Sequence, residues 1–258
     1  MTIENRKIQL INHKSNRNII IIKKELSIDE PFCIYLDQDY YGTLIATPSQ
    51  KKELSIGYLF TEGIIDSIND IKSINFMDKD VCIKLNKAAN LKESSVNEIN
   101  FLLTNFKTEL NNKITVKLSK IQNDKKINTD KIIEMGADIN RRSNIHKKTG
   151  GTHSAMLYNI NGEFLEFAED VGRHNAIDKV IGAMMIQKRD LKNSVLICTG
   201  RLSAEIIYKT VRAEIPIVIT KTVPLISGIR IAEMFGQTLI SIRRGQIKVY
   251  TNTQRINL

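Results

Sequence analysis

The densest concentration of chemically capable side chains is the run Glu169-Asp170-Val171-Gly172-Arg173-His174-Asn175. Two carboxylates, a guanidinium and an imidazole in one short stretch can do acid–base work or grip an anion. Arg173 offers a planar fork suited to phosphate or carboxylate. His174 and Asn175 can read a base or an oxyanion, and Gly172 permits a tight backbone turn. The blander reading is a capping network with an Asp–Arg pair. Three other segments place a hydroxyl beside a cation: Thr199-Gly200-Arg201, Thr220-Lys221-Thr222 and Ser241-Ile242-Arg243-Arg244-Gly245-Gln246. If these lie at the ends of neighbouring strands, Arg201, Lys221 and Arg243 converge on one anion. The glycine pair in Thr149-Gly150-Gly151-Thr152-His153 makes either a nest of N–H groups or a simple turn. His153 reads as a satisfied core histidine opening an apolar strand.

Each of these groups needs an element to hold it. Residues 195–199, 216–220 and 238–242 read as strands, with helices over 203–213 and 228–235 between them and a further strand over 247–251. Such alternation implies crossover units and an at least partly parallel sheet covered by helices. Ligands bind such sheets beyond the strands' carboxyl ends, and the following helix N-termini add N–H donors and a positive dipole end. Upstream, Asn161-Gly162 predicts a hairpin between 155–158 and 163–167. Asn175 reads as the cap of a helix whose apolar stripe is Ile177, Val180, Ile181, Met184 and Met185. Nearer the N-terminus, strands are expected over 19–22, 31–37 and 43–46, with a turn at 39–41. A helix capped by Ser49 follows and ends at Gly63. Residues 86–148 are the least patterned, with a strand expected near 114–117 and a helix over 130–142. The class is α/β (α+β).

The chain has 258 residues, enough to bury a sizeable core. No apolar run approaches the roughly 18 residues of a membrane helix, and the polar N-terminus has no signal-peptide core. The expected location is therefore the cytoplasm. Cys33, Cys82 and Cys198 are the three cysteines, and their spacing excludes a disulfide framework and any CxxC motif. The net charge of +10 splits unevenly, +2 over residues 1–130 and +8 over 131–258. The basic second half suits an anionic partner such as a phosphate, a nucleotide or a nucleic acid, while a Lys-rich composition accounts for the N-terminal lysines. P-loop, GxGxxG, GxSxG and zinc-deaminase signatures are absent.

The run from Glu169 through Ala176-Ile177-Asp178-Lys179 closely resembles the signature of the FdhD family, the formate dehydrogenase accessory proteins. Four more segments agree, in the family's order: Gly57-Tyr58-Leu59-Phe60-Thr61-Glu62-Gly63-Ile64-Ile65, Thr149-Gly150-Gly151-Thr152-His153-Ser154-Ala155, Gly200-Arg201-Leu202-Ser203-Ala204-Glu205, and Arg243-Arg244-Gly245-Gln246 leading to Tyr250-Thr251. The resemblance spans roughly residues 19–80 and 149–256. It implies a cytoplasmic chaperone of formate dehydrogenase maturation with a cytidine-deaminase-like layered core lacking zinc ligands. Its cargo would be the molybdenum or tungsten bis-molybdopterin guanine dinucleotide, to which it would relay sulfur from an IscS-like cysteine desulfurase before the sulfurated cofactor goes to the formate dehydrogenase apo-enzyme. A homodimer is implied as well. The family's cofactor loop corresponds to Ser241, Ile242, Arg243, Arg244, Gly245 and Gln246. Arg173, His174 and Asn175 would contact guanine or phosphate, and Gly200, Arg201, Lys221 and Arg243 would surround the phosphates. The expected division is residues 1–115 for an N-terminal subdomain and variable region, and 116–258 for the cofactor-binding core.

One departure matters. The family's sulfur carriers use a CxxC in the region that here reads Phe101 to Leu110, and this chain has no CxxC anywhere. A persulfide relay needs an accessible thiolate. The resemblance implies a sulfurtransferase, and the missing pair counts against that activity here. The rival readings are a cofactor-binding chaperone without sulfur transfer, a persulfide carrier using Cys33 or Cys82, a nucleic-acid-binding basic domain, and an acid–base enzyme built on Glu169, Asp170 and His174. The nucleic-acid reading lacks a dense basic stripe with interleaved aromatics.

Overall fold

The structure, a computed structural model, describes residues 1–11, 19–86 and 118–257. The first strands, β1 (Ile3–Ile11) and β2 (Ile19–Ser27), pair antiparallel as a ribbon of their own. β1 has no counterpart in the sequence reading, because few of its side chains are buried and no alternation marks it; Leu10, Ile11, Ile19, Ile20 and Ile21 are all exposed. β3 (Glu30–Leu36) and β4 (Asp39–Ala46) form a hairpin that turns at Asp37 and Gln38, both at positive φ. The turn thus comes two residues earlier than the sequence suggests, since aspartate and glutamine here take the left-handed geometry that tight hairpins require.

α1 (Lys51–Thr61) follows, and β5 (Ile71–Met77) and β6 (Asp80–Leu85) complete a four-stranded sheet in the order β4-β3-β6-β5. Strand alternation buries Phe32, Ile34, Leu36, Val81 and Ile83 with Leu54, Ile56 and Leu59 of α1. It leaves Cys33, Tyr35 and Cys82 on the opposite face, with Tyr35 and Cys82 in register on adjacent strands. Gln50, with a left-handed backbone and no side-chain cap, precedes α1. Ser49, the expected cap, instead accepts a hydrogen bond from Lys179 Nζ at 3.4 Å. The helix stops before Gly63 at φ 79, as predicted.

The larger unit begins with β7 (Ile127–Asn128), α2 (Thr129–Arg142) and α3 (Asn144–Thr149). It continues through β8 (His153–Asn159), β9 (Phe164–Asp170), α4 (Arg173–Ile186), β10 (Ser194–Cys198) and α5 (Ala204–Arg212). β11 (Ile217–Thr220), α6 (Ile226–Phe235), β12 (Thr238–Arg243), β13 (Gln246–Val249) and β14 (Ile256–Asn257) close it. β14 pairs with β7. The main sheet runs β13-β12-β11-β10-β8-β9, with β10, β11 and β12 parallel and the outer strands antiparallel. One face packs Ala155, Leu157, Leu196, Val218 and Leu239 against α4, α5 and α6. The other packs Met156, Ile197, Ile219, Ile240 and Ile242 against α2. This is the layered α/β core with a smaller N-terminal unit that the sequence predicts. The strand expected over 114–117 and the division at 115/116 lie outside the described residues. Among the described residues, no helix is long and apolar enough to cross a membrane.

The two units meet where α1 crosses α4. A Cβ at Gly57 would sit 1.8 Å from the Asp178 carbonyl oxygen, and one at Gly182 would sit 1.9 Å from that of Glu53. Only glycine at both positions lets the two backbones touch.

Candidate functional site

Three parallel strands send their carboxyl ends to one edge of the sheet. There β10 leads to Thr199-Gly200-Arg201, β11 to Lys221-Thr222, and β12 to Arg243-Arg244-Gly245. Antiparallel pairing brings the start of β8 and the end of β9 to the same edge, with His153 opposite Asp170 and Cys198 opposite Ala155. The residues singled out by sequence thus share a rim, as strand-end topology requires.

Around that rim the side chains do different things. Arg201, Arg243 and Arg244 are exposed, and none is ion-paired among the described residues. Arg244 (φ 51) and Gly245 (φ 75) form the tip of the β12–β13 hairpin, where two left-handed residues match the strands' twist. Behind this tip the loop turns inward. Ser241 is buried, with its hydroxyl 3.1 Å from the Tyr250 hydroxyl, and Ile242 belongs to the core under α2. Gln246, exposed, pairs with Arg243 across the turn. Gly200 seats Arg173: a Cβ there would lie 2.8 Å from the Arg173 Cβ. Arg173 Nε is buried with no hydrogen-bond partner, an orphan donor of the kind that functional sites retain.

Lys221 departs from the expectation of a third converging cation. Its Nζ donates to the Gly136 carbonyl of α2 at 3.0 Å. The ammonium is drawn to the α2 face of the sheet, and burial holds its pKa below the ordinary lysine value. His174 Nε2 lies 3.1 Å from Glu205 Oε2. Burial, then the neighbouring Arg173 and Lys209, hold the His174 pKa below the ordinary histidine value.

The rest of the signature run is a clasp between the two units. The Glu169 carboxylate accepts the Ile145 and His146 N–H groups at 2.9 and 2.8 Å, capping α3, and the Thr152 hydroxyl at 3.1 Å. Asp170 forms a fully buried ion pair with Lys179 at 2.7 Å. It also accepts from the Thr47 N–H at 3.1 Å, the Gly172 N–H at 2.8 Å and the Asn175 amide at 3.0 Å. Asn175 is not the helix cap, which is Gly172. It lies in the first turn, and its amide also donates to the Ile45 carbonyl at 2.8 Å. Asp178 accepts from Thr61 at 2.8 Å and from Lys209 Nζ at 3.1 Å, and Lys209 reaches Glu62 at 3.1 Å. Burial alone would discharge Lys209, but Asp178 and Glu62 hold its pKa above the ordinary lysine value. These carboxylates are committed to protein partners, which removes the basis for an acid–base enzyme using Glu169 and Asp170. Sequence reasoning does not single out Lys209. The available signal is a lysine three residues beyond Ile206 in an otherwise apolar helical stripe.

The thiols divide in two. Cys198 is buried, and burial pushes its pKa up to about 12. Cys33 and Cys82 are half-buried on the open face of the smaller sheet, with Cys33 Sγ 3.3 Å from Thr43 Oγ1. The segment Phe101 to Leu110 lies outside the described residues.

Comparison with known proteins places this architecture. The fold matches a solved formate dehydrogenase accessory protein from Desulfotalea psychrophila with a TM-score of 0.82, at 24% identity and 100% coverage of both chains. In sequence, the chain is 33% identical to the sulfur carrier protein FdhD of Saccharolobus solfataricus over 90% of each chain. It is 30% identical to that of Thermoplasma acidophilum, over 97% of this chain and 93% of the relative. The FdhD/NarQ family model matches residues 27–257, all but the ends of the chain, and the protein belongs to that family.

Proposed function

We propose that this protein serves formate dehydrogenase maturation by holding a molybdenum or tungsten bis-molybdopterin guanine dinucleotide as cargo at the sheet edge. The observation that carries the reading is the rim where Arg201, Arg243 and Arg244 stand exposed and, among the described residues, without ion-pair partners, beside the orphan donor of Arg173. A dinucleotide cargo brings pyrophosphates, and planar guanidinium forks suit them. The donor set fits the phosphate portion of the cargo. Family membership and the relatives' names support the accessory role, with the apo-enzyme as the partner receiving the cargo. A cysteine desulfurase, a second copy of this chain and a cytoplasmic setting belong to the same reading.

The test is calorimetry with GDP, the simplest fragment of the cargo. The unaltered chain should bind it, and Arg243→Ala should weaken binding more than Lys221→Ala, whose ammonium is already engaged. No binding at millimolar GDP overturns the reading.

Sulfur transfer needs a second statement, because the chain has no CxxC. Two part-exposed thiols on one sheet face favour a displaced carrier, Cys33 or Cys82. In that step the thiolate attacks the outer sulfur of the desulfurase persulfide. A new S–S bond forms, the old one breaks, and the desulfurase thiolate leaves. Intact mass after incubation with a cysteine desulfurase and cysteine reads the outcome. One added sulfur, lost in a single Cys→Ala variant, identifies the carrier. No added sulfur in a sample that binds GDP leaves a cargo chaperone without the relay.

A further inference from the structure

His153 belongs to a motif that neither the rim arginines nor the clasp absorbs. It opens β8 at the sheet edge, directly opposite Asp170 in register. The Asp170 carboxylate is taken by Lys179, Thr47, Gly172 and Asn175, so the imidazole has no carboxylate partner there. Its Nδ1 lies 3.4 Å from the Thr199 hydroxyl. That hydroxyl already accepts the Ser154 N–H at 2.9 Å, and donating its own proton to Nδ1 uses the group in full. With Nδ1 accepting, the ring proton sits on Nε2, and Nε2 has no protein partner among the described residues. The next residue after Thr199 is Gly200, the seat of Arg173. Burial, then Arg173 and His146, hold the ring's pKa below the ordinary histidine value. In that tautomer the structure presents an Nε2–H donor beside a guanidinium with an orphan donor, at the strand ends.

We infer that His153 contacts the cargo directly, donating from Nε2 to a phosphate oxygen of the guanine nucleotide alongside Arg173. The inference rests on the reading of the rim as a guanine-nucleotide site. It assigns a role to a residue that the sequence places in the core, and it makes Thr199 the group that sets the ring's tautomer.

Two conservative replacements separate contact from packing. His153→Gln would place an amide nitrogen near the Nε2 position but lose the Nδ1 bond to Thr199. His153→Asn would keep a group at the Nδ1 position but fall short of the ligand. GDP binding is measured by calorimetry on the full chain and both variants, with thermal melting to confirm that each is folded. The expected result is His153→Gln within about twofold of the unaltered chain and His153→Asn weaker by about tenfold or more, the effect of one hydrogen bond to a charged acceptor. The reverse order, with asparagine tolerated and glutamine not, would make the Thr199 bond the residue's whole purpose and overturn the inference. Equal loss in both variants assigns the effect to the ring's shape and overturns it too. Unchanged binding in both, with GDP still bound by the unaltered chain, overturns this inference alone. Absence of GDP binding by the unaltered chain overturns the reading of the rim and the inference with it.

Discussion

Replacing Gly57 by alanine should break the joint between the N-terminal unit and the core. The added Cβ would lie 1.8 Å from the Asp178 carbonyl oxygen and 2.6 Å from its carbon, whereas real Cβ contacts essentially never fall below 3.0 Å. The helices must therefore part by more than an ångström. Both obstructing atoms are backbone, so no rotamer change relieves the clash. Overpacking of a core costs about 1–3 kcal/mol where neighbours can adjust. Here the separation also pulls on the Thr61–Asp178 hydrogen bond at 2.8 Å and on the Lys209–Asp178 pair at 3.1 Å, both buried. Breaking one side of a buried ion pair costs about 3–5 kcal/mol, while alanine's better helix propensity returns only about 1 kcal/mol. The net expectation is a loss of about 3 kcal/mol or more, a large share of a typical domain's stability. Urea titration followed by far-UV circular dichroism reads it. Gly182→Ala, which would meet the Glu53 carbonyl oxygen at 1.9 Å, should behave the same way. Gly42→Ala, with nothing within 4 Å of its Cβ, is the control and should stay within about 0.5 kcal/mol of the unaltered chain. A Gly57→Ala protein that unfolds at the unaltered midpoint would refute the backbone-contact geometry.

Two further outcomes follow from the titratable groups. His153 and His174 both have folded pKa values below the ordinary 6.5, so the unfolded chain takes up protons first as pH falls. Their contribution to stability is fully present above about pH 6.5 and is lost as pH drops through the folded values. Melting temperature should decline across that window, and a protein carrying both His153→Gln and His174→Asn should decline less; an identical slope counts against the burial of these rings. Among the thiols, iodoacetamide should label Cys33 and Cys82 in the native protein and Cys198 only after denaturation, because burial holds the Cys198 thiol near a pKa of about 12. Native labelling of Cys198, read by peptide mass spectrometry, would contradict its placement in the core.

The strand ends are legible in the sequence because they rest on period and punctuation. Apolar runs of four or five residues, each followed by a hydroxyl and a cation, locate β10 and β11, and the apolar segment around Leu239, Ile240 and Ile242 that ends in Arg243 and Arg244 locates β12 and the shared edge. The Arg244-Gly245 hairpin is legible for the same reason. The placement of Lys221 is not, because the sequence cannot say on which side of the sheet a four-carbon stem will lie once a helix carbonyl such as that of Gly136 comes within reach. β1 escapes notice because a ribbon without a buried face carries no alternation to read.

The signature run misleads for a more instructive reason. On α4 the apolar stripe Ile177, Val180, Ile181 and Met184 faces the sheet. Asn175, Asp178, Lys179 and Gly182 also recur at helical spacing, and a polar stripe on a covering helix would ordinarily face water. Here that stripe faces α1 and the end of β4. Each of its polar groups finds a partner on or beside them: Ile45 for Asn175, Thr61 for Asp178, and Thr47 for Lys179. Gly182 closes the gap to Glu53. A buried polar group without a partner costs far more than a satisfied one contributes, so the two segments constrain each other residue by residue although about 120 positions separate them. Density of charge in the run therefore has two causes. Asp170, Asn175, Asp178 and Lys179 secure the N-terminal unit to the core. Arg173 and His174, at the start of the helix, are left at the rim, where Gly200 seats the arginine and Glu205 meets the histidine. Under the proposed function, a substitution in the first set should act through stability and one in the second through ligand affinity, and among the helical residues only the phase of α4 distinguishes them.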